Sequence, residues 1–139
     1  MKISTKGRYG LLIMLYLAKE FENDRFVTLH EISESENISL KYLEKIMLSL
    51  NKNDFFISTR GVGGGYKLKR LPENYTLKEI LNASEGDLNV TSCVTEICPK
   101  KASCITFSVW NDLNNVIDNF LENKTLKDYI EVKKWNYLK

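Results

Sequence analysis

Long apolar segments are absent from this sequence. No run of about 20 apolar residues, the length that spans a bilayer, occurs in it, which excludes a transmembrane helix. The apolar stretch 11–18 leads directly into Lys19 and Glu20, so it has the character of a helix and not of an export signal. We therefore expect a cytoplasmic protein with no membrane partner.

Catalytic side chains are also scarce. The single histidine, His30, lies about 60 residues before the first cysteine, and no Cys-x-x-Cys pair is present, so the sequence shows no nucleophile with its base. The glycine-rich stretch 61–65 lacks the lysine of a phosphate-binding loop and follows no βα pattern. These absences predict a protein that is not an enzyme.

A strong net charge is missing as well, since the chain of 139 residues carries only +2. The charge is unevenly distributed: residues 1–70 hold twelve Lys/Arg and eight Asp/Glu, whereas residues 71–139 hold eight and ten. The positive excess makes the N-terminal half the part suited to a polyanion. The length fits one domain, or one compact domain with an extension.

Helix signals fill the N-terminal part of the chain. Apolar residues at helical spacing predict a first helix over about 5–21, capped by Ser4 or Thr5: Tyr9, Leu12, Ile13, Tyr16 and Leu17. Thr28 and Glu31 form a capping box for a short second helix that ends near Asn37. Ser39 caps a third helix with an apolar face: Leu43, Ile46, Met47 and Leu50. Two short helices joined by such a turn make a helix-turn-helix.

A β-hairpin is predicted directly after these helices. Residues 55–60 and 66–70 are short β-prone runs, and the glycine-rich segment 61–65 between them permits a tight turn. A hairpin that follows a helix-turn-helix is the wing of a winged helix. We thus predict a mostly α-helical fold with a small β-hairpin wing, and a DNA-binding domain over residues 1–72.

The second region, 73–139, is predicted to hold a sensor loop and a dimerisation helix. Thr76 begins a capping box for another helix, and the loop 87–103 follows. A long helix over about 105–122 carries a coiled-coil-like apolar seam: Val109, Leu113, Val116 and Phe120. Thr125 begins the capping box of a short last helix. We expect the seam to join two copies of the chain.

The start of the third helix is the part expected to meet DNA, because a recognition helix presents its N-terminal residues to base edges. Its side chains can bond to bases or phosphates: Ser39, Lys41, Tyr42, Glu44 and Lys45. Arg60 and the backbone at Gly61 and Gly63 suit a narrow minor groove. A solvated helix and a flexible turn would also explain these features singly, but the helix-turn-helix followed directly by the wing favours DNA binding.

The cysteines are few but clustered. All three lie within twelve residues: Cys93, Cys98 and Cys104. An odd number of thiols in a reducing compartment argues against a disulfide framework. A loop can bring three thiolates to one metal centre, and thiolates prefer soft ions or iron–sulfur clusters. Three ordinary buried cysteines are the alternative, and zinc would need a fourth ligand.

Three stretches together resemble one protein family: MKISTKGRYGLLIMLYLA, ISLKYLEKIMLSL and STRGVGGGYKL. They are similar to the Rrf-two (Rrf2) family of bacterial winged-helix regulators, and the similarity continues through the cysteine loop to TLKDYI. The resemblance implies a homodimer whose long C-terminal helices cross and which binds palindromic double-stranded operators. It also implies DNA-facing positions for five residues: Lys6, Ser39, Tyr42, Glu44 and Arg60.

The resemblance further implies a cofactor. In iron–sulfur members of the family, three cysteines at nearly this spacing bind a 2Fe–2S cluster, which assigns Cys93, Cys98 and Cys104 as ligands. Phe107 stands where some members have a histidine ligand, so Glu96, an acid elsewhere or an exogenous thiol would complete the shell.

The first functional hypothesis is a repressor that senses iron–sulfur or redox status through this loop. The alternative is a cluster-free regulator of cysteine and sulfur metabolism that acts with a protein partner such as a metabolic enzyme. The opening KISTKGRYGL resembles that subgroup, whereas the three-cysteine loop favours the first hypothesis. A pure assembly module built on the long helix is the remaining option.

Overall fold

The structure, a computed structural model, describes residues 1–131, and residues 132–139 of the predicted second region lie outside the described part. The described chain is mostly helical, with one antiparallel two-stranded hairpin, which confirms the predicted fold class. The elements follow in the order α1 (Thr5–Lys19), α2 (Leu29–Glu36), α3 (Leu40–Leu50), β1 (Phe56–Thr59), β2 (Gly65–Leu68), α4 (Leu77–Glu85), α5 (Phe107–Asn123) and α6 (Lys127–Ile130).

The hydroxyl caps predicted from the sequence form at four helices. Each hydroxyl accepts a hydrogen bond from the backbone N–H three residues later: Ser4 from Gly7 at 3.2 Å, Thr28 from Glu31 at 3.0 Å, Ser39 from Tyr42 at 3.4 Å and Thr76 from Glu79 at 3.1 Å. Asn37 ends α2 in the left-handed conformation, at a φ of 53°. The turn between α2 and α3 is therefore short, as a helix-turn-helix requires.

Two of the three predicted capping boxes, those that begin at Thr28 and Thr76, are only half formed, because their carboxylates bind arginine. Glu31 accepts hydrogen bonds from Arg25 at 2.6 and 3.0 Å, and Glu79 accepts one from Arg70 at 2.8 Å. A guanidinium binds a carboxylate more strongly than a neutral backbone N–H does. The hydrogen bond from Arg25 also holds the pKa of Glu31 below its ordinary value. Arg25 thereby connects the segment before α2 to the start of that helix, and Arg70 connects the segment before α4 to the start of α4.

One apolar core unites the helix-turn-helix with α4 and the segment before α6. Its most buried members are at most 2 % exposed and include Ile13, Met14, Leu17, Ile32, Leu43, Ile46, Leu50, Phe55, Ile80 and Leu126. A smaller cluster of Leu77, Leu81 and Leu121 joins α4 to α5. Burial of these side chains holds α3 rigidly, with its other face turned to solvent.

The wing, β1 and β2 with their turn, is fastened to the body by one extra pairing. Val27 and Tyr66 exchange backbone hydrogen bonds of 2.8 and 2.7 Å at the free edge of β2. Gly65 makes this approach feasible, because a Cβ there would lie 2.4 Å from the carbonyl oxygen of Val27 at a φ of +137°. The base of the wing is held by the buried Tyr75, whose hydroxyl donates to the carbonyl of Phe55 at 2.7 Å.

The region after α4 is more ordered than a structureless loop. Two short 3-10 turns, Ser92–Val94 and Lys101–Ser103, interrupt it before α5 begins. At its far end, the carboxylate of Asp128 accepts a hydrogen bond from the N–H of Thr125 at 2.8 Å, which supports the start of α6. None of the helices in residues 1–131 is long and apolar enough to cross a membrane.

Candidate nucleic-acid interface

Helix α3 has one buried face and one charged face. Lys41, Glu44 and Lys45 are exposed, and Ser39 lies exposed at the N-cap. Their side chains form no ion pair within residues 1–131, in contrast to many other charged groups of the chain. Unpaired charges on a rigidly packed helix are free to bind phosphates and base edges.

Tyr42 and Lys6 occupy less open positions than these residues. The ring of Tyr42 is half-buried and packs edge-on against Tyr9 of α1, with 5.8 Å between the ring centroids. Lys6 is half-buried in the first turn of α1. Tyr42 therefore joins α1 to α3 through its ring.

The tip of the wing is a tight turn with exposed side chains beside it. The N–H of Gly64 donates to the carbonyl of Gly61 at 3.0 Å, and Gly63 between them has a φ of +75°, which favours glycine. Arg60 and Val62 are both exposed. The turn thus leaves its backbone at Gly61 and Gly63 and the side chain of Arg60 accessible, as binding in a minor groove would require.

The cysteine loop exposes all three of its thiols. Cys93, Cys98 and Cys104 are free and exposed. Within the described residues, no three His, Cys, Asp or Glu side chains are gathered closely enough to hold a metal ion. The expected convergence of the three sulfurs is therefore not present in this arrangement of the loop, although the thiolate donors themselves suit an iron–sulfur cluster.

Cys104 differs from the other two thiols in its surroundings. It lies just before α5, and its Sγ is 3.4 Å from Oγ1 of Thr106. Hydrogen bonding from the Thr106 hydroxyl, and then from the backbone N–H groups of Thr106 and Phe107, lowers the pKa of the Cys104 thiol. A larger share of this thiol is therefore ionised at a given pH than in an ordinary cysteine.

Alkylation of Cys104 is expected to begin at a lower pH than that of a free thiol. In a variant that keeps only this cysteine (C93S and C98S), the rate with iodoacetamide should follow the thiolate fraction, because the thiolate is the nucleophile. Thr106→Val removes the hydroxyl and should move the midpoint of the rate–pH curve upward. Thr95→Val is the control, since its hydroxyl bonds to the Ser92 carbonyl. Equal midpoints in the two variants would contradict the assignment.

Two long-range links near this loop had no signal in the sequence. The carboxylate of Glu85 accepts from the N–H of Ser4 at 2.9 Å, across 81 positions of the chain. Asn114 of α5 accepts from the N–H of Val90 and donates to the side chain of Asn89, both at 3.0 Å. These bonds tie the start of α1 to the end of α4, and the start of the cysteine loop to α5.

The geometry defines a class of protein. A capped recognition helix packed on α1 and α2, followed directly by a hairpin with a glycine-rich tip, is a winged helix-turn-helix. The Rrf2 family model, described as an iron-dependent transcriptional regulator, matches residues 3–132. The chain therefore belongs to the Rrf2 family of transcriptional regulators, as its sequence motifs predicted.

Known relatives agree with this assignment. The HTH-type transcriptional regulator IscR of Pectobacterium atrosepticum is 35% identical over 134 residues, which cover 96% of this chain and 81% of IscR. The structure of CymR, the global cysteine regulator of B. subtilis, matches with a TM-score of 0.81 at 31% identity and covers 96% of this chain and 99% of CymR. T. potens IscR matches with a TM-score of 0.76 at 30% identity, covering 97% and 94%. These proteins are regulators and not enzymes, in agreement with the prediction.

Proposed function

We propose that the protein is a cytoplasmic, homodimeric repressor that binds a palindromic DNA operator. The unpaired charged face of α3, followed directly by the exposed wing tip, is the observation that carries this proposal. Nine residues would contact DNA: Lys6, Ser39, Lys41, Tyr42, Glu44, Lys45, Arg60, Gly61 and Gly63. Helix α3 would enter the major groove and the wing the adjacent minor groove.

Some of these groups can position the protein on the duplex, and others can recognise bases. Glu44 can accept from the exocyclic amine of cytosine, and Lys41 and Lys45 can bind phosphates or donate to guanine. Ser39 and Tyr42 supply hydroxyls for phosphates, which set the register on the duplex. Arg60 carries a positive charge where a narrow minor groove is most negative.

The exposed seam of α5 supports the dimer. Val109, Leu113, Val116 and Phe120 are 44–66% exposed in the single chain, although they lie on one stripe of a long helix. Two copies packed along this stripe would bury it. A two-fold axis between them would present two α3 helices to successive major grooves, about 34 Å apart, which requires a palindromic site.

A salt titration of DNA binding tests the interface. Because each phosphate contact releases counterions, log K falls with log [salt] by about 0.9 per contact. Replacing Lys41 and Lys45 with alanine should weaken binding and reduce the slope by up to about 4 for a dimer, since two lysines are lost per subunit. Lys100→Ala with Lys127→Ala removes the same charge elsewhere and should leave the slope unchanged. Equal slopes in the two double variants would contradict the assignment of α3.

The three-cysteine loop is proposed as the sensor, with Cys93, Cys98 and Cys104 as three ligands of a 2Fe–2S cluster. The donor type fits, since iron–sulfur clusters bind thiolates, and the exposed loop leaves all three sulfurs accessible. A bound cluster would supply one-electron redox chemistry. The chain offers three thiolates here, so a fourth ligand must come from another group.

A cluster-free regulator of cysteine and sulfur metabolism with a protein partner is the second candidate. The separation of the three thiols favours it, because no metal-binding group is assembled within residues 1–131. The absorption spectrum of anaerobically purified protein distinguishes the two. Visible charge-transfer bands that vanish in the triple Cys→Ser variant would support the cluster. A colourless protein that stays colourless after reconstitution with iron and sulfide, yet binds DNA, would support the second candidate.

A further inference from the structure

Leu48 is the most exposed apolar side chain of α3, and it lies on the charged face of that helix. Leu48 is 68% exposed, whereas the other leucine late in this helix, Leu50, is fully buried. Leu48 follows Lys41 by seven residues and Glu44 by four, and an α-helix has 3.6 residues per turn. It therefore points in nearly the same direction as these two residues, away from the core.

A single exposed leucine on a protein surface needs no explanation, but the position of Leu48 is informative. It lies on the face that carries the unpaired charges of Lys41, Glu44 and Lys45. It belongs to neither of the two apolar clusters in the described part of the chain. Its neighbours on this face are charged, and Leu40 at the start of the helix is only 37% exposed, so Leu48 is the most exposed hydrocarbon side chain of α3.

We propose that Leu48 contacts the C5-methyl group of a thymine in each operator half-site and so helps to determine which sequence is bound. This inference rests on the proposed function. Thymine is the only one of the four bases that presents a methyl group in the major groove, and apolar side chains contact it there. Leucine has no hydrogen-bonding group, so it favours this edge over the amines and carbonyls of other bases.

Deoxyuridine provides the test, because it replaces thymine and removes only the methyl group. An operator is first selected from a randomised duplex library with the full-length protein. Each symmetry-related pair of thymines is then replaced by deoxyuridine. At one pair, replacing the thymine of one half-site should weaken binding by the wild-type protein about fourfold. Replacing the thymines of both half-sites should weaken binding about fifteenfold. These are the losses expected from one methyl contact per subunit.

Leu48→Ala should bind the thymine and deoxyuridine forms of that pair equally. Ile97→Ala is the matched control, since Ile97 is a 99% exposed aliphatic residue in the cysteine loop, and it should retain the wild-type ratio. Leu48→Ala is a surface change, and an unchanged unfolding midpoint confirms that it folds. The inference is overturned if no thymine pair is sensitive, or if Leu48→Ala keeps the wild-type ratio while binding the operator. A protein that selects no DNA at all would instead refute the proposed function.

Discussion

Aspartate at both Leu113 and Val116 is expected to convert the protein into a monomer and to weaken operator binding by about 10²- to 10⁴-fold. The two side chains are 44% and 66% exposed in the single chain, so the charges are tolerated by the fold. In a dimer they would face an apolar stripe and each other, where unpaired carboxylates are strongly unfavourable.

The size of the loss in DNA binding follows from bivalence. A dimer that binds one half-site holds its second recognition helix close to the other half-site, which raises affinity without new contacts. A monomer keeps the contacts of α3 and the wing but loses this gain. Analytical ultracentrifugation would give the oligomeric state, and titrations with a full and a half operator would give the affinities.

The control places the same charges elsewhere on α5. Ser108→Asp with Asn115→Asp adds two carboxylates at exposed positions away from the seam. This variant should stay dimeric and bind the full operator with wild-type affinity. A dimer that persists with aspartate at Leu113 and Val116 would show that another surface joins the subunits.

Removal of one hydroxyl group should produce the second large effect. Tyr75→Phe is expected to lower the free energy of unfolding by about 2–3 kcal/mol. The buried hydroxyl accepts from the N–H groups of Lys69 and Arg70 at 3.1 and 2.9 Å, and it donates to the Phe55 carbonyl at 2.7 Å. This group therefore joins both strands of the wing at their base.

The expected loss of stability comes mainly from one backbone N–H group that is left without a hydrogen-bond acceptor. Lys69 also donates to the Phe55 carbonyl at 3.0 Å, so those two keep each other as partners. The N–H of Arg70 loses its acceptor, and an unsatisfied group of this kind is costly. Urea unfolding of the two proteins measures the difference.

Tyr66→Phe is the matched control, because Tyr66 lies in the same hairpin and its hydroxyl makes no hydrogen bond within residues 1–131. Its unfolding midpoint should stay close to that of the wild type. Equal stability of the Tyr75→Phe and Tyr66→Phe variants would mean that the hydroxyl of Tyr75 contributes nothing to the wing.

Much of the DNA-binding region was predictable because its signals are local. The hydroxyls of Ser4, Thr28, Ser39 and Thr76 lie three residues from the N–H groups that they accept from, and that spacing is visible in the sequence. The glycines of the wing tip likewise have a local effect, because they permit the backbone conformation of the turn in which they lie. The sequence was therefore sufficient to predict the helix starts, the turn of the helix-turn-helix and the hairpin.

The tertiary structure decided what depends on side chains that no regular spacing in the sequence brings together. The carboxylates of Glu31 and Glu79, which the capping boxes would use, instead accept hydrogen bonds from arginines. A nearby guanidinium binds a carboxylate more strongly than a backbone N–H does. Close spacing brought Cys93, Cys98 and Cys104 into one loop but did not bring their sulfurs together, since proximity in sequence does not specify the path of a loop. The bonds from Tyr75 and Glu85 exist only after the core has packed and the distant groups have met.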